Sequence, residues 1–184
     1  MRYKEILYEK HANIAHVTLN RPTVSNKLDS KLAVELCEVC QEMEDDEELR
    51  AVVLTGAGDA FSLALACDIR IASEGAEFGL PQILRGHIPM CGGTQRLPRI
   101  IGKGKAVEMI LTGETIGAEE AYRVGLINKV LSKGKLMAAA EEIATKIART
   151  GPIAARYAKE AILKGLDKPL GQGLRLEADL SILL

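Results

Sequence analysis

The chain has 184 residues, 47% of them hydrophobic, which is the length of one domain with enough apolar surface to close a single core. Its 24 basic and 25 acidic residues leave a formal net charge of −1, so no overall field gathers polyanions or anionic lipid, and the absence of Trp removes the best stacking platform for single-stranded nucleic acid. Met1 to Asn13 alternates charged and apolar residues instead of running apolar as a secretory leader does, and no stretch is long enough to span a bilayer, so a soluble, cytoplasmic protein with neither nucleic acid nor membrane as partner is expected.

Ile6 to Tyr8 and Ile14 to Leu19 read as strands joined by the polar turn Lys10 to Asn13, with Ala15, Val17 and Leu19 alternating against His16 and Thr18. Asn20, Arg21 and Pro22 break the second strand. Asp29 or Ser30 can then cap a helix whose apolar face is read as Leu32, Leu36, Cys40 and Met43. That reading makes Cys40 a small core residue and argues against a redox or metal role for the Cys37-x-x-Cys40 pair, which lacks two further ligands at matching spacing. The acidic run Glu42 to Glu48 ends the helix and reads as a solvated turn.

Ala51 to Thr55 is a continuous aliphatic and β-branched run, the composition of a strand buried on both faces in a parallel sheet. Gly56 to Asp59 ends it as a plain turn, too short of glycines for a phosphate loop. Ile69 to Ser73 and Phe78 to Leu80 read as short strands, the latter stopped by Pro81. From there the pattern is helical. Thr94 is expected to cap a helix to Ile101, with Gly102 as its stop, and Val107, Ile110 and Leu111 define the next before Gly113. A short helix spans Glu119 to Val124, and a strand is read over Leu126 to Leu131. Leu136, Ala140, Ile143, Ala144 and Ile147 trace one amphipathic face, ended by Gly151 and Pro152, and Pro152 opens a further helix to about Lys164. The last segment, Leu174 to Leu184, stops on Ile-Leu-Leu with no polar tail, so either more chain or a partner subunit is expected to cover it.

Three runs carry a resemblance: Ala64-Leu-Ala-Cys-Asp-Ile-Arg-Ile-Ala72, Phe78-Gly-Leu-Pro-Gln-Ile83, and Gly86-His-Ile-Pro-Met-Cys-Gly-Gly-Thr-Gln-Arg-Leu-Pro-Arg99. With Asn20-Arg21-Pro22, Leu111-Thr112-Gly113 and Gly125-Leu-Ile-Asn-Lys-Val130, these make nearly the whole chain similar to the enoyl-CoA hydratase/isomerase, or crotonase, family. The resemblance implies an α/β fold, a spiral of ββα units with a C-terminal helical region: a core over 1–130 and a helical oligomerisation region over 131–184. It also implies a homotrimer or dimer of trimers, an acyl-CoA substrate, and no cofactor or metal beyond the coenzyme A of that substrate.

Family chemistry rests on two backbone N–H groups that hold the thioester oxygen as an enolate, and, in hydratases, on two glutamates that handle water and proton. Here Gly58-Asp-Ala-Phe-Ser62 runs directly into Leu63-Ala-Leu-Ala-Cys-Asp68. The stretch that the family carries between them, on the order of 40 residues by family length, is missing, and with it go both donors, the first glutamate and a central strand. Such a loss predicts a break in the backbone between Ser62 and Leu63, where an intact trans peptide would hold the Cα atoms about 3.8 Å apart. The second glutamate's position is held by Gln82, whose amide can orient a water but cannot take its proton. His87 is the candidate replacement base. By the same resemblance, Val24, Asn26, Lys27 and Leu28 lie along the coenzyme A, and Ile88, Pro89 and Gly92 border the acyl pocket.

Overall fold

A computed structural model describes residues 3–24, 26, 28–56 and 61–184, with the side chains of 61 and 62 left aside. The chain opens with an antiparallel hairpin of β1 (Ile6–His11) and β2 (Ile14–Leu19), paired from Ile6 opposite Leu19 to His11 opposite Ile14. The period-2 pattern of β2 sets its faces: Ala15, Val17 and Leu19 are buried while His16 and Thr18 lie half-buried on the other side. β3 (Ala51–Thr55) joins β2 in parallel, and the Thr18 and Thr55 hydroxyls bond across the pair at 2.9 Å.

Helix α1 (Ser30–Glu44) begins where Asp29 accepts bonds from the backbone N–H groups of Lys31 and Leu32, both at 3.1 Å. The Arg21 guanidinium, 2.6 Å from the same carboxylate, and those two N–H groups hold Asp29 below the usual carboxylate range. The buried seam of α1 corrects the expected one: Leu32 and Val39 are fully buried, Leu36 and Met43 pack beside them, and Cys40 is exposed. A seven-residue step returns to within about 20° of its starting direction on a 3.6-residue helix, whereas the eight-residue step to Cys40 overshoots by about 80°. These residues close the first core with Tyr3, Ile6, Val17 and Leu19.

The second core gathers the elements after residue 64: β4 (Ile71–Ser73), β5 (Glu77–Phe78), α3 (Gly93–Ile101), α4 (Lys103–Thr112), β6 (Ile116–Gly117), α5 (Ala118–Arg123) and β7 (Lys129–Leu131). β4 pairs with β7 in parallel and β5 with β6 antiparallel. Leu80, Leu97, Met109 and Leu126 are its largest fully buried side chains, each worth roughly 1.5–3 kcal/mol of hydrophobic burial. The strands here are shorter than expected, and α3 is capped by Gly92 in the left-handed region (φ 80°) rather than by Thr94.

Helix α2 (Phe61–Ala64) spans the point where the family's intervening stretch is expected. The chain stitches the two cores together here, because Leu63 of α2 packs against the first and Leu65, just past the helix, is buried in the second. Beyond it, Arg70 fastens the next turn: its side chain donates to the carbonyls of Cys67 and, at 2.7 Å, Leu126, while its backbone N–H donates to Asn128 Oδ1 at 2.8 Å. The Cys67 thiol beneath is pushed up, first by burial and then by the charge of Asp68.

Within the C-terminal region, α6 (Leu136–Ala148) lies across the strands, with Ala144 buried against Ile14 of β2 and Val53 of β3, and it also packs on β4. Helices α7 (Pro152–Gly165) and α8 (Leu170–Ile182) pack chiefly on each other. They cross closely at two glycines: a Cβ on Gly173 would stand 3.6 Å from Gly165 O and 3.7 Å from its Cα. Lys159 Nζ to Asp68 at 2.6 Å ties this hairpin to the body.

Candidate functional site

The loop between β5 and α3 holds five of the expected site residues. Pro81 starts a 3₁₀ turn (Pro81–Arg85) that Gly86 closes at φ 70°. The N–H of His87 then donates to the Gln82 carbonyl at 3.1 Å, joining the two candidate catalytic residues through backbone. The turn is seated on the end of α4, where Gly113 (φ 70°) leaves room for Leu84: a Cβ there would come within 2.6 Å of Leu84 Cγ.

Gln82 Oε1 is buried and has no hydrogen-bond partner among the described residues. Buried polar atoms are rarely left so, and a carbonyl oxygen can be satisfied only by a donor. His87 is exposed, as are Ile88 (72%) and Met90 (77%), whereas Pro89 is buried beside Gly93. Cys91 (φ 57°) and Gly92 (φ 80°) are left-handed in succession, and Arg96 secures them by donating Nη1 to the Cys91 carbonyl at 2.7 Å. Its guanidinium lies so close over Gly92 that a Cβ there would collide with Nη1.

The expected coenzyme-binding residues sit on another loop, against the first core. Val24 is 45% exposed on a 3₁₀ turn and Leu28 packs under α1. Asn26 is turned inward, 2% exposed at φ 54°, with Oδ1 accepting from the Arg21 N–H at 2.7 Å, so it shapes the loop from within. Arg21 in turn bridges Glu5 and Asp29 at 2.5 and 2.6 Å. Lys27 lies outside the described residues.

An open cavity of about 660 Å³ lies where α2 meets α3. Its walls include Leu63 and Ala66 on one side and Cys91, Gly92, Arg96 and Arg99 on the other, so the residues that now adjoin the missing stretch face the acyl-side loop. Of these, Cys91 and Gly92 are the ones that the resemblance puts at the acyl pocket. Leu63 and Ala66 carry no chemical signal, and Arg96 and Arg99 had served only as marks of resemblance. Among the described residues no group of three or more His, Cys, Asp or Glu could hold a metal ion, and no helix is long and apolar enough to cross a membrane.

Comparison with known proteins addresses the same regions. A family model described as enoyl-CoA hydratase/isomerase matches residues 9–63 and 60–182, in two pieces that meet at α2. The short-chain-enoyl-CoA hydratase of Clostridium acetobutylicum is 34% identical, with 97% of this chain and 88% of that protein covered. That alignment runs over 231 positions against a chain of 184 residues, so at least 47 positions of the relative face no residue here, somewhat more than family length alone had indicated. Among solved structures, enoyl-CoA hydratase subunit I from Geobacillus kaustophilus HTA426 superposes with a TM-score of 0.95 at 29% identity, covering 100% of this chain and 90% of that one. The enoyl-CoA hydratase of Bacillus anthracis gives 0.90 at 33% identity, covering 97% and 90%. The expected spiral α/β fold is therefore the observed one.

Proposed function

Because the chain belongs to the enoyl-CoA hydratase/isomerase, or crotonase, family, we propose that it handles acyl-CoA thioesters and that its reaction is the addition of water to a 2-enoyl-CoA. In that reaction the water oxygen bonds to C3, a proton reaches C2, and charge passes through the thioester oxygen as an enolate. The observation that carries the reading is the buried, unpartnered Oε1 of Gln82, at the position where the resemblance puts a catalytic carboxylate. An acceptor so placed can orient a water or a substrate hydroxyl, and His87, on the same turn, is the group left to take the proton. Val24, Asn26, Lys27 and Leu28 would border the coenzyme, and Ile88, Pro89 and Gly92 the acyl chain. Coenzyme A enters as part of the substrate, and the reading requires no other cofactor.

Two features favour a second reading, acyl-CoA binding without hydration. Gln82 cannot act as a base, and the stretch that supplies the relatives' residues between the two matched pieces is missing. An isomerase, decarboxylase or thioester hydrolase with re-sited carboxylates is the catalytic alternative.

Crotonyl-CoA hydration, followed by loss of enoyl thioester absorbance in wild type, Gln82→Glu and His87→Ala, separates these. Gln82→Glu is expected to raise the rate by roughly 10²–10⁴-fold, the usual worth of a positioned base. Wild-type turnover already at hydratase level would refute the loss of an essential base, unchanged turnover in His87→Ala would remove His87 from the mechanism, and no binding of any acyl-CoA would end all three readings.

The assembly we propose is a homotrimer or dimer of trimers, with the core over 1–130 and the helical region over 131–184 as its working parts. Its support is the exposed apolar residues of the α7–α8 hairpin, Leu166 (82%), Leu170 (78%) and Ile182 (83%) among them.

A further inference from the structure

β3 combines the sequence of an interior strand with the surroundings of an edge strand, and β4 too has one open edge. Ala51–Thr55 is the kind of β-branched run that parallel sheets bury on both faces, yet only Val53 is buried and Val52 is 45% exposed. β3 bonds to β2 along one edge and β4 to β7 along one edge, and among the described residues no strand lies on the other edge of either. Helix α6 nevertheless covers both ladders, packing on β2 and β3 and also on β4.

One helix laid across two parallel ladders, each ending in an open edge, is the layout of a single sheet lacking one strand at its middle. The comparisons put the loss at the same place. The two family matches meet at residues 60–63, between β3 and β4 in the chain, and the alignment with the Clostridium acetobutylicum relative has at least 47 positions with no counterpart in a 184-residue chain.

We propose that the gap between β3 and β4 is a strand-accepting site, and that its occupant is an extended segment of a separate polypeptide with the sequence character of the stretch the relatives carry there. Main-chain hydrogen bonds to both open edges would supply affinity, and apolar side chains would cover Val52. A second copy of this chain fits less well, because each of its strands β1 to β7 is already held in a ladder of its own and none is a free extended segment.

The test uses the full chain and a synthetic peptide with the sequence of the positions of the Clostridium acetobutylicum hydratase that have no counterpart in this chain. Amide hydrogen exchange at 51–55 and 71–73 is expected to slow by about tenfold or more on saturation, with no change in α7 and α8. A peptide of the same composition in scrambled order, and one with prolines through its middle that cannot donate to a ladder, should each bind at least about tenfold more weakly. No slowing at about 100 μM peptide, slowing confined to other elements, or equal binding of the scrambled peptide would each overturn the proposal. Slowing that follows the protein concentration alone would also overturn it, by assigning the edges to a second copy.

Discussion

The α3–α5 region and the α7–α8 hairpin are both helical and both rich in apolar residues, but they spend them differently. In the first, Leu97, Ala106, Met109 and Ala121 are at most 1% exposed. In the second, Leu180 is the buried residue, and the exposed apolar side chains fall on faces that the body does not cover. Helical spacing announces that a helix has an apolar face. What covers that face is decided by the rest of the fold, or by another subunit.

That contrast can be broken most forcefully at Leu97. Leu97→Ala should cost about 2–5 kcal/mol in urea unfolding, the usual range for a large-to-small change in a closed core. Leu170→Ser on the hairpin should change the stability of the dilute chain by less than about 0.5 kcal/mol and instead lower the mass measured by sedimentation. Equal costs at the two positions would mean that the hairpin is packed on the body after all.

A second effect lies in the first core's entry loop. Asn26→Ala leaves the Arg21 N–H without its side-chain acceptor and puts alanine at φ 54°, so a loss of about 1–3 kcal/mol is expected, and Asn26→Gly should recover the part due to backbone strain.

Cys67 reports on the seam between the two cores. Burial raises its pKa above that of the unfolded chain, so the folded state keeps the proton longer. Stability is therefore unaffected below the ordinary thiol range and falls as pH rises through it toward the folded value. At a pH near the ordinary thiol value, iodoacetamide should modify Cys67 in the folded protein on the order of tenfold more slowly than in urea. Equal rates would show the seam to be open.

The smallest effect belongs to the tie between hairpin and body. Lys159 and Asp68 are both more than half exposed at the side chain, so Lys159→Ala should cost no more than about 1 kcal/mol, a change in melting temperature that shrinks further in high salt. A larger, salt-insensitive loss would show that the hairpin's position depends on that pair.

Much of this fold was legible because local physics decided it. The alternation in β2, the Asp29 cap and the glycine stop at Gly113 each depend on neighbours in sequence. Cys40 was misread because its eight-residue spacing from Leu32 resembles a helical repeat without keeping to one face. Helix α2 left no trace, since four residues are too few to show a period. At the site, Gln82 was found through resemblance, but its unpaired oxygen was not, because pairing depends on groups brought near by the tertiary fold. The inward turn of Asn26 escaped notice for the same reason.

The crossing of α7 and α8 at Gly165 and Gly173 makes the hairpin a lever with a narrow fulcrum. A single methyl at Gly173 would sit in ordinary contact, but any longer side chain has only the opposing backbone to push against. It would wedge the helices apart near their connection and swing their far ends through a greater distance. The geometry of any assembly built on this arm would then be set by the absence of side chains at two positions, and the cavity beside the site loop would feel the same change, because Asp167, between those two glycines in the chain, is part of its wall.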